Sequence, residues 1–201
     1  MSQEKNNRRE RVVNAALEGF ARFGYQKASM QDIALAANVS KSVLFKYYQT
    51  KENLYRTVFW QAADEIARAD AQASAERTEA ETVFCAMRRT VESRMLLFSR
   101  APYIYAFSYT AAYDGAALPR ELAQEAFSRA GVKGGEALAY QGLREDISAA
   151  QAKQMIFWIS QGFLGEKLAR GIASPEELKR EFSEWIDLME KLMTDQRKDE
   201  R

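Results

Sequence analysis

Lys41, Ser42, Phe45, Lys46 and Tyr47 crowd the outer side of one short stretch, while Val43 or Leu44 and Tyr48 fall on its inner side when the stretch is wound as a helix. Two ammonium groups, a hydroxyl and two rings make no nucleophile and no proton relay. Together they can hold a polyanion, the cations meeting phosphates and the remaining groups meeting base edges. Such a helix needs a scaffold that presents it. Upstream, Ser29 stands three residues before Asp32 in a capping-box-like start, and Ile33, Ala34 and Ala37 then share a face. Asn38 suits the left-handed turn that ends a helix, Val39 can fill the angle between two helices, and Ser40 can cap the next one. Two helices around a polar turn predict a helix-turn-helix that lays its second helix in the major groove of DNA. Thr50 opens a further helix with Lys51 in its first turn.

Other chemistries find few residues to work with. The chain has no histidine, which removes the commonest general base, the commonest metal ligand and every His-activated nucleophile. Its one cysteine, Cys85, lies amid Val83, Phe84, Ala86 and Met87 and reads as a small core residue rather than a redox sensor. The expectation is a protein that is not an enzyme and uses no cofactor and no metal. A reading from that other class, a helical enzyme or binding protein with Glu92, Arg94 and the tyrosines around a pocket, has no histidine, metal cluster or phosphate loop behind it.

Charge is divided along the 201 residues. The formal net charge of +1 conceals a basic start: residues 1–56 hold ten basic and five acidic side chains, and the remainder holds 19 basic and 23 acidic. A basic head on an acidic body is the footprint of a polyanion-binding domain joined to one that does not bind polyanions. The polar N-terminus and the lack of an 18-residue apolar run predict a cytoplasmic protein with no membrane partner.

Caps and breakers predict an all-α chain. Residues 8–23 place Val13, Ala16, Leu17, Phe20 and Phe23 on one face, with Gly24 as the closing residue. A long helix from Lys51 to about Ala75 turns Leu54, Val58, Ala62 and Ile66 inward and links the head to the second part of the chain. Thr78 with Glu81 predicts a start before Phe84, Met87, Val91, Met95 and Phe98, and Pro102 a stop. Asp114-Gly115 marks a turn, a helix runs on from Pro119, and Gly131, Gly134 and Gly135 predict a break in it. Ser148 with Gln151, and Ser174-Pro175 with Glu177, open the last two helices.

Two clusters in this second part leave alternatives open. Ile156, Ile159 and Phe163, with Phe182, Trp185, Met189 and Leu192, give two broad apolar stripes that suit either packing within one chain or a four-helix bundle across a two-fold axis. Tyr103, Tyr105, Phe107, Tyr109 and Tyr113 hold four of the nine tyrosines in eleven residues. With Phe84, Met87, Met95, Phe127, Phe157 and Trp158 they suit either an aromatic core or a cavity for a largely apolar, planar molecule.

At Gly24-Tyr25, Ser29-Met30-Gln31-Asp32-Ile33-Ala34, Ala37-Asn38-Val39-Ser40-Lys41, Leu44-Phe45-Lys46-Tyr47-Tyr48 and Thr50-Lys51-Glu52-Asn53-Leu54, the chain resembles the DNA-binding domain of the tetracycline-repressor (TetR) family. The resemblance covers about residues 8–60. It implies an all-helical homodimer with a DNA-binding domain over residues 1–56 and a ligand-binding and dimerisation bundle over 57–201. It also implies two partners, a double-stranded operator and a small-molecule inducer, with Gln31, Lys41, Ser42, Val43, Phe45, Tyr47 and Lys51 at DNA-contacting positions. Under it the aromatic cluster becomes an inducer pocket, the two stripes become a dimer interface, and the chain becomes a ligand-responsive regulator, most simply a repressor. A constitutive DNA-binding protein without inducer is the alternative. Phe45 stands where the family usually has Tyr, which removes one hydroxyl from the phosphate contacts, and Tyr48 stands where Phe usually packs inward.

Overall fold

Six of the helix starts are set by a side chain that accepts a backbone N–H left free by the first turn. The computed structural model describes residues 2–75, 81–134, 140, 142–171 and 174–194. Among them are α1 (Ser2–Lys27), α2 (Met30–Ala36), α3 (Lys41–Tyr48), α4 (Lys51–Ala75), α5 (Val83–Arg100), α6 (Ile104–Tyr113), α7 (Ala117–Gly134), α8 (Ala149–Arg170) and α9 (Pro175–Met193). Ser29 accepts from Asp32 N, Ser40 from Val43 N, Ser148 from Gln151 N within a full capping box, and Ser174 from Glu177 N ahead of Pro175. Thr78 lies outside the described residues; α5 is capped instead by Thr82, whose hydroxyl accepts from Cys85 N at 3.3 Å. The break expected at Gly131 does not occur, since α7 runs through it to Gly134, and Gly135 lies outside the described residues.

The chain divides into two compact units, Met1–Ala67 with Arg100–Gly131, and Arg68–Ser99 with Val132–Arg201. The first unit therefore holds more than the basic head. Phe20 of α1, Tyr55 and Phe59 of α4 and Phe107 of α6 form one ring cluster, with the Phe107 centroid 6.3, 5.3 and 6.1 Å from those three in turn. Edge-on Phe20–Tyr55 packing at 4.8 Å completes it. Burial pushes the Tyr55 phenol well above its ordinary pKa, with the Asp114 carboxylate adding to the shift.

Polar contacts fix the same joint. Gly24 leaves helical conformation at φ 70°, and Tyr25 N then donates to Asp114 Oδ2 at 2.9 Å. A Cβ at residue 24 would stand 3.1 Å from that oxygen, so both the backbone angle and the close approach call for glycine. The other Asp114 oxygen accepts from Ala116 N at 2.8 Å and starts the chain into α7, while Thr110 Oγ1 donates to Ala21 O at 3.2 Å.

The second unit is a helical stack tied by ion pairs. Arg94 meets Asp70 through two 2.8 Å bonds and Ser93 Oγ donates to Ala69 O at 2.7 Å, joining α5 to the end of α4. Arg88 bridges Asp187 and Glu190 at 2.6 Å each, and Lys179 reaches Glu92 at 2.6 Å, joining α5 to α9. Glu92 and Arg94, the polar residues of the enzyme reading, are thus engaged in structural pairs. The apolar core between these helices contains Val83, Phe84, Val91, Ala152, Ile186, Met189 and Met193, with Met87, Met95, Ile156, Ile159 and Phe182 packed against it. Cys85, expected in the core, is exposed.

Candidate DNA interface

The helix-turn-helix is built on a few buried anchors. Leu44 is fully buried and Tyr48 nearly so, and they seat α3 against Ile33, Ala34 and Ala37, all buried. Asn38 turns the chain at φ 52°, and Val39 N returns to Ala34 O at 3.0 Å. Gln49, which no sequence pattern marks, takes φ 61° at the end of α3; Thr50 then caps α4 by accepting from Asn53 N at 3.0 Å. Tyr48 places a hydroxyl at an inward position, and Arg9 satisfies it by hydrogen bonding.

With those anchors turned inward, Lys41, Ser42, Phe45, Lys46 and Tyr47 are exposed, and Val43 is half-buried. Lys41 holds its ammonium 5.6 Å over the Phe45 ring. Neither Lys41 nor Lys46 makes an ion pair or hydrogen bond among the described residues, which leaves both cations available to an anion. Gln31 is exposed in the first turn of α2, on a separate element from α3. Lys51 differs from the rest. Its Nζ donates to Gln26 O at 3.0 Å and Ala28 O at 3.2 Å and sits 4.8 Å over the Tyr25 ring, closing the segment after Gly24. Of the three donors on an ammonium, two are committed to carbonyls and one remains for a phosphate.

The remaining expected sites fall apart by unit. Tyr103, Tyr105, Phe107, Tyr109, Tyr113 and Phe127 belong to the first unit, and Phe84, Met87, Met95, Phe157 and Trp158 to the second. Tyr105, Phe107 and Phe84 are buried, and Tyr113, Phe127, Phe157 and Trp158 are exposed. Of the expected interface residues, Met189 is buried in its own chain's core, Ile156, Ile159, Phe163 and Phe182 are half-buried, and Trp185 and Leu192 are exposed.

Residues 12–58 match the family model of bacterial regulatory proteins, tetR family. Those residues form a TetR-family DNA-binding domain. A TetR-family regulator from Chloroflexus aurantiacus shares the fold over 95 % of both chains, with TM-score 0.68 and 17 % identity. The regulator FadR from Bacillus subtilis, solved in complex with stearoyl-CoA, covers 88 % of this chain and 96 % of its own, with TM-score 0.59 and 17 % identity. In sequence, the transcriptional regulator RutR of Escherichia coli is 35 % identical over 63 residues, 31 % of this chain and 30 % of RutR. The chain spans about a third of the length of the curated relatives it matches. Among the described residues this TetR-like fold is all-α, with a helix-turn-helix formed by α2 and α3. Among the described residues no helix is long and apolar enough to cross a membrane.

Lys51 and Tyr47 are expected to differ in how they would meet DNA. Lys51→Ala should weaken binding to operator and random DNA alike and lower the salt slope by about one unit. Because Gln26 and Ala28 lose a charged donor, it should also lower stability by about 1 kcal/mol. Tyr47→Ala should change base preference by about 1–3 kcal/mol at particular operator positions and leave the salt slope alone. Fluorescence anisotropy over a salt series distinguishes the two, and equal losses on both DNAs for both variants would refute the division.

Proposed function

We propose that the chain works as a homodimeric repressor whose helix-turn-helix, over residues 1–56, reads an operator and whose bundle, over 57–201, binds an apolar small molecule that releases it. The observation that carries this reading is the outer face of α3, where Lys41 and Lys46 make no ion pair among the described residues and lie beside exposed Phe45 and Tyr47 on a helix anchored by Leu44. Gln31, Ser42, Val43 and Lys51 complete the proposed contact set.

Support for an apolar inducer comes from the second unit. Its core is rich in methionine, with Met189 and Met193 buried and Met87 and Met95 packed against them. Unbranched thioethers repack at small cost, so such a core can open around an acyl chain where a core of branched residues would resist. Stearoyl-CoA bound to the Bacillus subtilis FadR, which shares the fold, points to the same ligand chemistry. The aromatic pocket expected over residues 103–113 is less favoured, since Tyr105 and Phe107 are committed to the first unit's core.

Support for dimerisation comes from α9, whose Trp185, Leu188 and Leu192 form an exposed stripe at helical spacing, and from exposed Phe157 and Trp158 on α8. The test is a selection of bound fragments from genomic DNA, then titration with stearoyl-CoA. The expected result is one palindromic site, bound as a dimer and released on titration. Fragments with no shared sequence would sink the operator reading. Release by no acyl-CoA would favour the constitutive alternative.

A further inference from the structure

In the first unit a groove of about 380 Å³ lies between α1, the turn of the helix-turn-helix and the corner where α5 meets α6. Its polar lining is Arg11, Asn14 and Glu18 along one stripe of α1, Asn38 from the turn, and Arg100 and Tyr103 from the corner. The charges do not cancel. Glu18, the one acid among the lining residues, pairs with Arg22 at 3.1 Å, and the same guanidinium donates to the Tyr103 hydroxyl at 2.7 Å. Arg11 and Arg100 have no ion-pair or hydrogen-bond partner among the described residues.

Their isolation has a cause in the sequence. Arg22, Arg56 and Arg129 each pair with a glutamate four residues earlier. Arg11 has Asn7 and Ala15 at that spacing, and Arg100 has Leu96 and Ile104. Two guanidinium forks, two amides and a phenol around a partly apolar floor of Leu17, Ala36 and Ala37 supply the kinds of donor that a phosphate accepts.

We propose that this groove is a site for a phosphate-bearing anion held between Arg11 and Arg100. Occupancy joins α1 and the helix-turn-helix turn to the α5–α6 corner, so an anion bound there is coupled to the attitude of the reading head, and by reciprocity DNA is coupled to the anion. Two sources share this chemistry, a free phosphorylated small molecule and a backbone phosphate of the operator.

The full chain is titrated with sodium pyrophosphate at constant ionic strength and monitored by calorimetry, beside Arg11→Gln, Arg100→Gln and the control Arg120→Gln on the exposed side of α7. Saturable binding is expected in the wild type and Arg120→Gln, weakened about tenfold or more in the other two, whose melting curves should match the wild type. A second arm measures the salt dependence of DNA binding without pyrophosphate. A slope reduced by about one unit in Arg100→Gln assigns the groove to the operator backbone, and an unchanged slope with pyrophosphate binding assigns it to a free ligand. Equal pyrophosphate binding in the wild type and Arg100→Gln, together with equal salt slopes, would overturn the site.

Discussion

Phe107→Ala should cost about 3–5 kcal/mol, the range for removing a fully buried ring from a packed core, and lower Tm by about 6–20 °C in a chain of this size. Phe107 is 1 % exposed, and its ring meets Phe20, Tyr55 and Phe59. The effect reaches far from its position in the sequence. Although it lies about sixty residues beyond the helix-turn-helix, its loss should remove DNA binding, because α1 and the start of α4 form two walls of the cavity left behind. Calorimetric melting and hydrogen exchange of α1 to α3 check this. Full protection of those helices in the variant would show that the head folds without α6.

Changing Trp185, Leu188 and Leu192 together to Glu should convert the proposed dimer to monomer. In the isolated chain these side chains are 45, 42 and 56 % exposed, so three carboxylates there leave the fold of one chain intact. In a desolvated interface each would face an unpaired partner surface, and an anchor of this type is worth about 2 kcal/mol or more, roughly thirtyfold in Kd. Sedimentation should show a helical monomer by far-ultraviolet dichroism, with operator affinity falling because a single head retains half the contacts. A triple variant that sediments as a dimer moves the interface off α9.

The range of each interaction decides how legible it is in the sequence. Ser29, Ser40, Ser148 and Ser174 announce their helices because a cap bonds to an N–H three residues away, inside the window that a local pattern spans. The outward face of α3 is legible for the same reason, its anchors Leu44 and Tyr48 lying within the helix they orient. The roles of Phe107 and Asp114 are not legible. The carboxylate of Asp114 reaches Tyr25 N, 89 residues away in sequence, and no local pattern distinguishes a tyrosine-rich helix that lines a cavity from one that packs on the head. Met189 shows a related difficulty. It shares an apolar stripe with Trp185 and Leu192, yet it is buried while they are exposed, because a stripe wide enough for two neighbours does not say which neighbour is its own chain.

The dual use of Asp114 bears on how such proteins can be recombined. One oxygen receives Tyr25 N and the other Ala116 N, so the residue belongs at once to the reading head and to the corner that leads into α7. A hybrid regulator spliced at residue 56 would import a new α1 while retaining the Thr110, Asp114 and Phe107 fitted to the old one. Splices that carry α6 and the start of α7 along with the first 67 residues exchange the joint as a matched set.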